Sequence, residues 1–366
     1  MAKPRYFYYF IVMNSLINII NFVPRELIDR RFEGALMSIV ISVIVGTLFV
    51  YCFGFLISKF PAKGIPEILG PLMPKLLVSA ILLFFAVLWY VAGATTLLSF
   101  VDITLRFISP DTGPYLVMGG FLVMVCICCR FDPLSLLFGL EVILAITLPL
   151  ILYATFKALG NPNFSWDAVL QVGTHFWHAP DWMSLAAATF SFSGYINLII
   201  YNRVFQNLKL KHIWFVGIQG LLVLLVTFFV PIGYFGTVGV ERHVYTWFST
   251  ADSIQIESFL IERMLFIFYF AYMSLSLVSV ITHWHVGLML FQSVFSTARK
   301  TSARTKRWKE WGILGMFSAV TIYLMRLNQD ELNTLGELFL QVRWYLEMFV
   351  LVLLFYCYRK EKRRTA

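Results

Sequence analysis

The stretch WMSLAAATFSFSGYINLIIYNRVF, residues 182–205, is long and apolar enough to cross a bilayer, yet its middle is polar and loose. Thr189, Phe190, Ser191, Phe192, Ser193, Gly194 and Tyr195 stand at the centre, with Asn197 just after. Two serines and a glycine at mid-span free backbone groups from the helical ladder. A break there exposes carbonyls at the end of one half-helix and N–H groups at the start of the next. Together these can hold the ammonium and carboxylate of a zwitterion. The plainer alternative is close packing through a surface of small residues.

Composition supports the membrane setting. The 366 residues are 59% hydrophobic and only 13% charged, about half the charged share of a soluble domain. At about 20 residues per span, ten spans leave about 16 residues each for turns and ends, which excludes a sizeable soluble domain. Apolar runs predict spans at 6–24, 34–57, 76–101, 114–129, 134–157, 182–205, 212–235, 257–292, 311–327 and 336–358. The third and eighth are long enough to tilt or project. Residues 60–74, rich in proline and glycine, read as a surface segment.

Charge tests the count. With both ends cytoplasmic, one side holds Lys3, Arg5, Lys59, Lys63, Lys75, Arg130, Arg203, Lys209, Lys211, the cluster from Arg299 to Lys309 and the tail Arg359–Arg364. That is about 20 of the 29 lysines and arginines, the bias of cytoplasmic loops. Nine or eleven spans would strand one of the two strongest clusters outside. The net charge of +9 therefore reflects topology, not nucleic-acid binding, and the basic tail is expected to touch anionic lipid. No small-residue cleavage site follows the first apolar run, so that helix is expected to be retained.

Polar groups within the spans locate a candidate site. In the first span Asn14, Asn18 and Asn21 recur on one face, with Ser15 beside them. Such a face looks onto other helices or a wet cavity. Spans one and six hold equivalent places in two five-helix halves, about 1–180 and 181–366. Polar interruptions at matching positions point to a midplane transporter-type site, although the halves share no evident sequence repeat. The eighth span carries Tyr272, Ser276, Ser279 and His283 on one face, and the third carries Thr95, Ser99, Asp102 and Arg106, with Tyr90 earlier. The candidate ligand-binding set is Asn14, Ser15, Asn18, Tyr90, Ser191, Ser193, Gly194, Tyr195, Tyr272 and Ser276.

Two acids lie in apolar runs. Glu141 has no cation within a turn, so it is expected to be protonated, paired across helices or facing water, with proton coupling as its functional reading. Glu347 has Arg343 one turn before it, a sufficient partner. His175, His178 and Asp181 lie in a loop with three tryptophans, Trp166, Trp177 and Trp182, the composition of an interfacial segment rather than a metal site. The five cysteines show no zinc or redox spacing. His283 and His285 have no acid pair beside them, which argues against a membrane enzyme. No cofactor is expected.

These residues resemble the spore-germination permease family, the B subunits of nutrient germinant receptors in endospore-forming bacteria, within the amino acid–polyamine–organocation superfamily. Phe22-Val23-Pro24 followed by Glu33-Gly34-Ala35-Leu36-Met37-Ser38 is similar to its first-to-second helix turn. Phe60-Pro61 to Pro66-Glu67-Ile68-Leu69 resembles the stretch after helix two. Asp102 stands where the family usually has an acid, before Pro110-Asp111-Thr112-Gly113-Pro114, and Phe190, Phe192, Gly194 and Tyr195 look like its helix-six break. Departures are Arg130-Phe131-Asp132-Pro133 in place of a basic-glycine turn, Phe138 in place of an arginine, and an asparagine-rich first helix; Glu141 matches a later acid.

The resemblance implies an all-α membrane fold of ten helices, a five-plus-five inverted repeat with helices one and six broken. It implies a small nutrient, typically an amino acid, bound between those two helices, with helices three and eight completing the pocket. Implied partners are a larger membrane subunit and a lipoprotein subunit in the spore inner membrane. The alternative is a proton- or sodium-coupled transporter of amino acids or related solutes. The same pocket argument serves both.

Overall fold

The computed structural model describes residues 1–20, 22–255, 263–295 and 303–365. Asn21 and the basic residues Arg299 and Lys300 lie outside the described residues, as does the start of the eighth predicted span.

The helices run α1 Arg5–Ile17, α2 Phe22–Asp29, α3 Ala35–Ile57, α4 Ile65–Leu69, α5 Lys75–Phe107, α6 Pro114–Cys128, α7 Pro133–Leu159 and α8 Trp166–Gly173. Then follow α9 Trp182–Phe190, α10 Leu198–Tyr201, α11 Ile213–Gly239, α12 Thr246–Asp252, α13 Met264–Val294, α14 Ala303–Leu324 and α15 Gln329–Thr365. A 3-10 turn, Ser193–Asn197, joins α9 to α10 and another, Asn202–Val204, follows it. Among the described residues there is no strand, only an isolated bridge between Gln255 and Arg263.

Among the described residues, six helices are long and apolar enough to cross a membrane: α3, α5, α7, α11, α13 and α15. Two bent pairs bring the number to eight. α1 and α2 meet at 56°, and α9 meets the Ser193–Val204 segment at 62°. The chain is a multi-pass membrane protein with breaks in its first and sixth predicted spans. The other two predicted spans fall short by length and composition. α6 has 15 residues, and α14 begins with Arg304, Lys306, Arg307, Lys309 and Glu310. At 1.5 Å per residue α5 is about 50 Å long, more than the roughly 30 Å hydrocarbon layer, as its apolar run predicts. α15 extends beyond its predicted span at both ends; at its start Asn328 and Glu331 cap it reciprocally, each accepting the other's backbone N–H at 2.9 Å.

Local sequence explains the helix starts. Asp132 caps α7 by accepting from the Ser135 N–H at 3.0 Å and its hydroxyl at 2.7 Å; these bonds hold its carboxyl below the usual range. Pro133 then occupies the first helical position, where its missing N–H costs nothing. Asp181 caps α9 through the Met183 and Ser184 N–H groups and also binds Arg30 at 2.8 Å. Gly34 precedes α3 at φ 91°, and a Cβ there would lie 2.0 Å from the Ala179 carbonyl oxygen. Only glycine satisfies both constraints.

Contacts sort the molecule into two ends. At one end Ala2 N donates to the Val204 carbonyl at 2.8 Å, Glu67 of α4 binds Arg203 at 2.8 Å, and Lys360 of α15 donates to the Leu72 carbonyl at 2.6 Å. The N-terminus, the 60–74 segment and the basic tail thus share one end. The other end carries the Arg30–Asp181 and Arg31–Glu241 pairs and the close of α5. α5 and α13 pack along their lengths as the central pair, with α1 and α7 against α13.

Candidate functional site at the helix break

The break after α9 leaves carbonyls without helical partners, and several of them find one within the chain. Asn14 Nδ2 donates to the Phe190 carbonyl at 2.5 Å and Ser15 Oγ to the Ser191 carbonyl at 2.5 Å. Asn197 Nδ2 donates to the Gly194 carbonyl at 3.2 Å, while its Oδ1 accepts from Trp89 Nε1 of α5 at 2.7 Å. From the far side Arg343 of α15 donates to the Ala186 carbonyl, to Ser193 Oγ at 3.1 Å and to Thr189 Oγ1 at 3.4 Å. Its guanidinium also lies over the Phe190 ring. Gly194 is the contact point itself: a Cβ there would sit 2.0 Å from the Phe10 carbonyl oxygen of α1.

Arg343 and Glu347 form an ion pair at 3.3 Å with side chains only 4% and 2% exposed. Glu347 also accepts from the Tyr195 hydroxyl at 3.0 Å. An ion pair this deep in a membrane protein needs every remaining donor and acceptor met, and Tyr195, Ser193, Thr189 and the Ala186 carbonyl meet most of them. Sequence spacing found the pair but not its reach to the break, which crosses about 150 residues of chain.

The ten candidates therefore divide. Asn14, Ser15, Ser193, Gly194 and Tyr195 are gathered at the break and committed to holding it. Asn18 Nδ2 donates back to the Asn14 carbonyl at 2.7 Å, and its Oδ1 is buried without a partner among the described residues. Ser191 Oγ is likewise unpartnered. Tyr90 is on another face, where its hydroxyl meets Thr321 of α14 at 3.0 Å and its ring packs on Trp284 and Phe317. Tyr272 and Ser276 lie on α13 with buried hydroxyls that have no partner among the described residues.

A closed cavity of about 10 Å³ sits where the end of α1 meets α5 and α13, lined by Ile17, Ile20, Thr96, Ser99, Phe100, Ile103 and Ser276. That volume is about one water. Among the described residues Ser99 Oγ and Ser276 Oγ both lack partners, whereas Thr95 and Thr96 bond back to carbonyls of their own helix. The cavity marks a place where polar groups remain uncommitted in an otherwise closed core.

Glu141 is paired across helices. Arg5 Nη2 lies 2.5 Å from Oε1, and the Tyr6 hydroxyl donates to Oε2 at 2.7 Å. Glu141 also borders a cavity of about 500 Å³ between α1, α7 and α11. That groove is walled mainly by leucine, isoleucine and valine, including Leu144, Leu148, Ile151 and Leu222, an unsuitable lining for a zwitterion. In the external loop His178 Nδ1 contacts the Phe32 carbonyl at 2.6 Å, and Asp181 is engaged in its cap and with Arg30.

A broken helix clamped by its counterpart, with uncommitted hydroxyls on the two central helices, defines a permease-type membrane protein. The chain belongs to the spore germination protein family, matching it over residues 5–334. No curated protein matches the chain. Arg343 and Glu347 lie beyond the matched residues.

Proposed function

We propose that this protein is the membrane-embedded, nutrient-sensing subunit of a spore germinant receptor. Its transmembrane domain spans residues 1–366 as ten helices in two inverted halves, about 1–180 and 181–366. Both termini are cytoplasmic in the spore inner membrane, and the basic tail lies on anionic lipid. The nutrient is a small zwitterion such as an amino acid. It occupies the space between the helix-one and helix-six breaks and the α5–α13 pair, enlarged from the closed cavity at Ser99 and Ser276. Its partners are a larger membrane subunit and a lipoprotein subunit.

The observation that carries this reading is the coincidence, in a chain of the spore germination family, of a broken helix with buried hydroxyls that lack partners on the two facing helices. A nutrient that satisfies those hydroxyls favours the enlarged arrangement over the closed one. The difference in its affinity for the two sets the size of the signal. The same cavity fits a coupled transporter, so the test separates sensing from uptake.

Spores lacking the gene, restored with the wild-type chain, are challenged with a panel of amino acids while growing cells are assayed for uptake of the same solutes. Sensing predicts loss and restoration of germination to a defined nutrient, with uptake unchanged. Normal germination with reduced uptake would make the protein a transporter instead.

A further inference from the structure

Three cavities lie in series from the end of α5 to the closed cavity. The first is an open cleft of about 250 Å³ lined by Asp102, Arg106, Pro114, Asn328 and Gln329, among others. The second, about 10 Å³, shares Gln329 with the first and adds Arg25, Tyr245 and Asn333. It also contains Ser99, which lines the inner cavity beside Ser276. Gln329 and Ser99 are therefore the walls common to successive chambers.

Tyr245, between α11 and α12, closes the series. Its hydroxyl donates to Asp102 Oδ2 at 2.9 Å, and its ring lies under the Arg106 guanidinium. Arg106 in turn binds Asp102 at 2.8 Å and reaches Gln329 Oε1 at 3.3 Å. Behind this cluster Asn333 Nδ2 and Ser99 Oγ are buried and, among the described residues, unpartnered, so polar groups continue inward past the closure.

We propose that this cleft is the access vestibule and first holding station for a small zwitterionic nutrient, with Tyr245 as its gate. The identity of the nutrient rests on the functional reading above; the route does not. The Asp102 carboxylate and Arg106 guanidinium present opposite charges a turn apart on α5. An incoming ammonium and carboxylate exchange partners with them without stranding a charge. A cleft of about 250 Å³ is below the roughly 300–1,000 Å³ of drug-sized sites, which selects a single small solute over a peptide. Displacing Tyr245 from Asp102 joins the vestibule to the inner cavities, and the gate opens as the carboxylate changes partner.

The test is thiol accessibility in the full chain in sealed vesicles of known orientation, needing no nutrient. Ser99→Cys is labelled with a small, membrane-impermeant, cationic methanethiosulfonate, and the signal of the parent chain with its native cysteines is subtracted. Asp111→Cys, exposed at the same end, is the positive control. Labelling of Ser99→Cys is expected to be slow, and to accelerate about tenfold with Tyr245→Phe, which removes only the hydroxyl bond. Tyr245→Ala is expected to accelerate it further. The acceleration is expected from the side that labels Asp111→Cys and not from the other. Unchanged labelling in both Tyr245 variants, with Asp111→Cys reacting normally, would overturn the gate, as would acceleration from the opposite side alone. Either result would leave the nutrient reading standing, since that reading fails only on loss of a nutrient response.

Discussion

The break after α9 and the facing surface of α5 and α13 are both polar regions buried in an apolar protein, and the backbone groups freed at the first are met where several hydroxyls of the second are not. At the break the freed carbonyls described above have donors from α1, α15 or Asn197. Across from it, the hydroxyls of Ser99, Ser276 and Tyr272 have no partner among the described residues. Paired polar groups in a dry interior fix one arrangement, and unpaired ones raise its energy. The first region is therefore the frame, and the second is where a ligand gains most by supplying partners.

The largest effect should come from the frame. Arg343→Met leaves the buried Glu347 charge without its cation, with the Tyr195 hydroxyl still donating to it. The change also removes one donor from the Ala186 carbonyl, which keeps Thr189 Oγ1. It is expected to destabilise the protein by about 3–5 kcal/mol, read from unfolding in detergent. Adding Glu347→Met should recover much of that loss, and failure to recover it would mean the pair is not the element that holds the break. Gly194→Ala should cost about 1–3 kcal/mol by overpacking against Phe10; a neutral result would show that the helices are not in close contact there. Asn14→Leu removes one donor to the Phe190 carbonyl, for an expected loss of about 1 kcal/mol. At the small end, Ser276→Ala deletes a hydroxyl without a partner among the described residues and should change stability by less than about 0.5 kcal/mol.

Much of the fold was readable because its causes are local. Apolar runs marked the helices long enough to span, and Ser191, Ser193 and Gly194 marked the break within one stretch of chain. Where the readings stopped, the cause was a partner distant in sequence. Glu141 has no cation within a turn, yet Arg5 reaches it from α1. Arg343 was read as Glu347's neighbour, but its other bonds run to α9. Tyr90 shares α5 with Ser99 yet faces α14, because α5 carries no exposed residue between Leu88 and Val101. Trp89, Tyr245, Gln329 and Asn333 carried no signal of their own; only the packing of α5 against the break and against α15 brings them to the site. The shortness of α6 and the charged start of α14 explain why ten apolar runs give six to eight spans by length and composition.

The contrast between frame and ligand surface is tested most directly by measuring the nutrient dose-response of spores carrying Ser276→Ala, beside the stability of the same purified protein. The account predicts normal protein level and stability, with the concentration for half-maximal germination raised about tenfold, the size expected for one lost hydrogen bond to a charged group. An unchanged dose-response at normal protein level would contradict it and remove the α5–α13 surface from the site.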